Sequence, residues 1–128
     1  MASLDDVARM ALGLPEVIEG SRHGNRTWFV NTKAFAWARP FSKADLKRFG
    51  AELPPEGPIL ATLVEDLVEK EAVLASGSRG FFTIPHFDNY PTVLIQLDVV
   101  AQRAVREALV DGWSVCAPPR LTHNYLVD

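Results

Sequence analysis

The chain has 128 residues, 48% of them hydrophobic and 23% charged, enough for one domain core and too little for two. Thirteen Lys and Arg stand against 16 Asp and Glu, a formal net charge of −3, and so mild an acidic balance excludes a protein that coats nucleic acid by overall charge alone. No run of about 18 apolar residues predicts a membrane-spanning helix, the acidic opening Met1-Ala2-Ser3-Leu4-Asp5-Asp6 lacks the pattern of a secretory signal, and the single Cys116 excludes an internal disulfide and fits a reducing cytoplasm.

Ser3 can cap a helix over about 4–13, where Leu4, Val7, Ala8 and Ala11 mark one buried stripe. Gly13-Leu14-Pro15 ends it. Residues 16–25 read as a loop punctuated by Gly20, Gly24 and Asn25. Arg26 to Val30 and Lys33 to Arg39 are strand-like runs joined by Asn31-Thr32, which makes a hairpin. With that link, Val30 faces Lys33, Trp28 faces Phe35 and Arg26 faces Trp37. One surface then carries Arg26, Trp28, Val30, Lys33, Phe35, Trp37 and Arg39, and the other carries Thr27, Phe29, Ala34, Ala36 and Ala38.

Ser42 with Asp45 caps a short helix ending at Gly50. A proline-rich loop leads to Ile59–Glu65, a strand apolar on both sides. Asp66 with Glu69 caps a helix to about Ala75. Phe81–Ile84 and Thr92–Leu97 are strands, and Asp98 is expected to cap the last long helix, with Ala101, Ala104, Val105, Ala108 and Leu109 as its apolar stripe. A short helical segment follows Pro118-Pro119. The order predicts a single two-layer α+β domain over 1–128, with an antiparallel sheet of about five strands and helices mainly on one face.

Charge is segregated along the chain. Seven basic residues (Arg22, Arg26, Lys33, Arg39, Lys43, Lys47 and Arg48) and one acid, Asp45, fall between Arg22 and Arg48, whereas six acids and one base, Lys70, fall between Glu52 and Glu71.

Leu14-Pro15-Glu16-Val17, Ser21-Arg22-His23-Gly24 and Lys33-Ala34-Phe35-Ala36 resemble the opening of the MmcQ/YjbR family. The stretch from Phe81 through Pro85-His86-Phe87-Asp88-Asn89-Tyr90-Pro91 to Leu97 is the most specific match, and Trp113 with Ala117-Pro118-Pro119-Arg120-Leu121 completes a likeness that covers nearly the whole chain. The resemblance implies a compact α/β fold with an antiparallel sheet, similar to secretion-chaperone-like folds. It also implies the label DNA-binding that many members carry, with no catalytic residue to transfer. The segment Phe41–Pro58 is longer than the usual connection in that family.

Four constellations bear on function. Arg26, Lys33 and Arg39 beside Trp28, Phe35 and Trp37 supply cations for phosphates and rings for bases; alternatively the rings are core and the cations reach water on long stems. The stiff loop from Pro85 to Pro91 displays His86 and Tyr90 and could contact a ligand with His23 and Trp28, or it is a hairpin connection whose Phe87 and Tyr90 pack back onto the sheet, with Asp88-Asn89 making the turn. His23, His86, Asp88 and His123 have no clustered metal-ligand spacing, although strand spacing would put His86 and Asp88 on one face. Cys116 with His123 could form a dyad, but a buried small hydrophobe accounts better for the cysteine. The sequence assigns no catalytic residue, metal or cofactor. Three readings follow: a nucleic-acid module through the seven cations, with DNA as partner; an adaptor that pairs with a second copy of the chain or another protein; and a small-molecule pocket around His23, Trp28, His86 and Tyr90.

Overall fold

The computed structural model describes residues 1–127, with side chains through Tyr125. The elements run α1 (Leu4–Leu12), β1 (Ile18–Arg22), β2 (Asn25–Val30), β3 (Lys33–Ala38), α2 (Lys43–Phe49), β4 (Ile59–Leu63), α3 (Leu67–Ala75), β5 (Phe81–Phe82), a 3-10 turn at Pro85–Phe87, β6 (Thr92–Gln96), α4 (Gln102–Cys116) and α5 (Pro119–Val127). The strands form one open antiparallel sheet in the order β1-β2-β3-β4-β6-β5. This is the α+β architecture expected, with one strand more than the five anticipated. The extra strand is β1, read from sequence as loop. All five of its residues are exposed, so it carries none of the apolar alternation by which a strand is recognised.

Local chemistry sets the helix starts. Ser3 and Asp6 form a reciprocal capping box on α1, and Ser42 and Asp45 form one on α2. Asp66 caps α3 by accepting from the Glu69 amide. The expected cap on α4 is corrected: the helix begins after Ala101, which has no side-chain cap. Leu97–Val99 form a turn instead, and Asp98 abuts the loop at Gly57, where an added Cβ would lie 2.1 Å from its Oδ2.

The first hairpin departs from simple alternation. Asn31 and Thr32 both have left-handed backbone (φ 53° and 61°), the signature of a type I′ turn that matches strand twist. Val30 pairs with Lys33 as expected, but the register then shifts: Phe29 pairs with Ala34, Trp28 with Ala36 and Thr27 with Trp37. Phe35 is an extra residue in β3, a β-bulge. The anticipated pairs Trp28–Phe35 and Arg26–Trp37 are therefore corrected, and so is the single surface shared by Trp28 and Trp37. A one-residue offset sends every side chain beyond it to the opposite face.

On the helix side of the sheet, Trp28, Val30, Phe35, Ala36, Leu60 and Ile95 pack against α1 and α4 through Val7, Ala11, Val105, Leu109 and Trp113. Gly112 lets α4 seat close on the sheet, since a Cβ there would sit 3.1 Å from the Phe35 carbonyl oxygen and 3.2 Å from that of Leu63. On the other side Ile59, Ala61, Leu94, Ile84 and Phe87 form a smaller cluster with Trp37, Phe41, Phe49 and Phe82. There α2 and the 3-10 turn cover only part of the sheet. The part over β1, β2 and β3 stays open.

Candidate anion-binding hollow

The open part of that second side forms a cavity of about 580 Å³, within the range of small-ligand sites. Its floor is Thr27, Ala34, Trp37 and Leu63, and its rim is Arg22, His23, Arg39 and His86. Each arrives for a local reason. Arg22 ends β1 opposite Asn25, and His23-Gly24 link the strands with left-handed backbone at both positions (φ 53° and 78°), so His23 stands at the hairpin tip. Trp37 and Arg39, two apart on β3 and its continuation, point the same way. His86 comes from the 3-10 turn, its ring edge-on to Phe87 at 4.8 Å between centroids.

The rim differs in how its charges are held. Arg39 is half-buried, lies 5.4 Å over the Phe87 ring and places Nη1 2.9 Å from Oδ2 of Asp45. Asp45 is only 2% exposed. Burial pushes its carboxyl up, but the Ser42 amide, the Ser42 hydroxyl and Arg39 outweigh that and hold it below the ordinary carboxylate value. Arg48 stands 3.8 Å from its other oxygen, which accepts no hydrogen bond. Arg22, by contrast, is exposed and among the described residues has no carboxylate partner.

The seven basic residues thus divide. Arg22, Arg39 and the α2 residues Lys43, Lys47 and Arg48 belong to the open side or the helix that borders it. Arg26 belongs to the helix side, donating to Glu19 through Nε at 2.9 Å and to Asp5 through Nη1 at 2.9 Å. Its guanidinium lies 5.6 Å over Trp28, not over Trp37 as the unbulged register required. Lys33 lies near Cys116 on that same side. Trp28 is fully buried there and donates from Nε1 to Glu19 at 3.0 Å. Of the four residues expected to share a pocket, His23 and His86 do. Trp28 lies across the sheet, and Tyr90, 61% exposed, is outside the lining. Trp37 occupies the place anticipated for Trp28. The bulge that sets the two tryptophans on opposite faces leaves no mark in the sequence.

Other candidate chemistry is dispersed. His86 sits in a 3-10 turn, so strand spacing does not relate it to Asp88, and no group of three or more His, Cys, Asp or Glu among the described residues is placed to hold a metal ion. Burial pushes the Cys116 thiol up, with Lys33 opposing weakly, so it is a packed apolar group beside α5 while His123 is exposed. The Tyr90–Pro91 bond is trans. Lys70, largely buried, donates to the carbonyls of Phe87 and Tyr90 at 2.6 and 2.9 Å and so fixes the loop between them. No helix among the described residues is long and apolar enough to cross a membrane.

No family model matches the chain, and no solved structure matches it. Among curated proteins it is 40% identical, over all of its own length and 98% of theirs, to the uncharacterized proteins Mb2600 of Mycobacterium bovis and MT2646 and Rv2570 of Mycobacterium tuberculosis. At that identity and coverage, the chain belongs to the same family as these mycobacterial proteins.

Proposed function

We propose that this is a cytoplasmic binding domain of MmcQ/YjbR type whose open-side hollow takes a nucleotide unit, either free or within a nucleic acid strand. The observation that carries the reading is the meeting, in one cavity, of Trp37 on the floor and the unpaired Arg22 on the rim. A half-buried indole offers a stacking platform, worth about 1–3 kcal/mol per base. An unpaired guanidinium supplies a bidentate partner for phosphate. Arg39, already neutralised by Asp45, holds position more than it adds charge. The α2 cations border this side and suit a phosphate chain running out of the hollow.

The reading is tested by tryptophan fluorescence. Trp28 and Trp113 are fully buried, so a ligand in the hollow reports through Trp37. Adenosine monophosphate should quench emission, and adenosine should bind at least about tenfold more weakly, the effect of losing one charged hydrogen bond. Arg22→Ala should lower the nucleotide's affinity by a similar factor. A short single strand of dA that binds far more tightly, with affinity falling by about 0.7 log units per log unit of salt for each phosphate held, would assign the polymer as the natural form. Equal affinities for adenosine and its monophosphate, or no binding of either nucleotide or strand at millimolar concentration, would overturn the proposal.

A further inference from the structure

A second hollow lies on the opposite side of the sheet, between α3 and α4. Its volume is about 250 Å³. Its walls are apolar, with Val73 of α3, Ala104 and Ala108 of α4, and Phe81 and Val93 from the strands beneath. Three carboxylates line it: Glu69 from α3, and Glu107 and Asp111 from α4. No basic residue does.

Two features separate this place from an ordinary acidic surface. The first is Thr62. It lies on the hollow's floor, is only 1% exposed, and its hydroxyl has no hydrogen-bond partner. A buried hydroxyl left without a partner costs free energy, about 1–3 kcal/mol, and a ligand that reached it would relieve that cost. The second is the electrostatics. Partial burial pushes the Asp111 carboxyl up, and Glu69 and Glu107 push it further. Glu65, which lines the adjoining depression with Glu69 and Asp111, adds to the negative field. Arg103, itself outside the lining, meets Glu107 at 3.3 Å, but the pair is largely exposed and so offsets little of the Glu107 charge.

We propose that this hollow binds a small organic cation: an alkylammonium whose charged head sits among Glu69, Glu107 and Asp111, whose chain lies on the apolar walls, and whose far end carries a neutral hydrogen-bonding group that meets Thr62. A bare metal ion does not fit, since the described carboxylates are not grouped closely enough to ligate one, whereas a flexible chain needs only their field. The site is independent of the nucleotide hollow, so either can fail without the other.

The experiment is a titration of the full chain with three probes, followed by amide chemical shifts in two-dimensional NMR. Aminopentanol should bind best, pentylamine about tenfold more weakly for want of the hydroxyl, and pentanol more weakly still for want of the charge. Shifts should centre on Val73, Ala104 and Ala108. The double variant E107Q/D111N, altering two exposed side chains, should lose at least tenfold in affinity for both amines while leaving pentanol unchanged. Thr62→Val should erase only the advantage of aminopentanol over pentylamine, with no loss of thermal stability. Binding should also weaken on acidification from above the ordinary carboxylate range, because Asp111 takes up its proton early. The proposal is overturned if pentanol binds as well as pentylamine, if the shifts fall on Trp37 and Arg22 instead, or if no probe perturbs the hollow at tens of millimolar.

Discussion

The two hollows are separated by the thickness of one β-strand. Thr62 and Leu63 are consecutive residues of β4, and alternation turns the first into the acidic hollow and the second into the basic one. The sheet itself supplies a nearly uncharged floor to both. What distinguishes them is the cover: hairpin tip, β3 continuation and 3-10 turn over one side, α3 and α4 over the other. In this fold the character of a surface is decided by which segments cross above the strands, and the strands set only where those segments meet.

That contrast can be broken at its core first. Trp28→Ala, on the helix side, should cost about 3–5 kcal/mol in denaturant unfolding, because the ring is fully buried. Trp37→Ala should cost only about 1–2 kcal/mol, reflecting its partial exposure, while abolishing nucleotide quenching. Equal costs would place Trp37 in the core and remove the platform.

The next largest effect tests how the basic side is clamped. Asp45→Asn should cost about 3 kcal/mol at neutral pH, since it removes the buried partner of Arg39, and should tighten nucleotide binding a fewfold by freeing that guanidinium. The sign with pH follows from the lowered pKa of Asp45. Its contribution is present above the unfolded carboxylate value near pH 4 and is lost as pH falls through the lower folded value. The gap between wild type and variant should therefore close in acid. A gap that persists to pH 2 would show that the charge is not what Asp45 supplies.

The smallest effect is a control. Thr32 is β-branched yet left-handed (φ 61°), a strained combination. Thr32→Gly should stabilise the chain by about 0.5–1 kcal/mol and leave both binding constants unchanged, as calorimetric unfolding and the two titrations would record.

Much of the scaffold was legible because it is written in local chemistry. Ser42 and Asp45 announce α2 by hydroxyl and carboxylate three apart, and Ile59–Leu63 declare a strand buried on both faces. Three features of the sites were not legible. An edge strand such as β1 is wet on every residue and looks like loop, so the position of Arg22 opposite Asn25 was hidden. The bulge at Phe35 obeys no residue preference visible in Ala34-Phe35-Ala36-Trp37, so alternation put Trp28 and Trp37 on one surface where the sheet separates them. The acidic hollow joins Glu69 to Glu107 and Asp111 across some forty positions of chain, a distance over which no spacing rule operates.

The bulge has a further consequence for how such a chain can vary. The inside and outside of the first hairpin are set by its length to the single residue. Removing one amino acid from β3 would restore strict alternation, bring the indole of position 37 round to the helices and swing the arginine two places on with it. Substitution can tune this domain gradually, whereas a one-residue gain or loss between Thr27 and Trp37 would exchange its inside for its outside in one step.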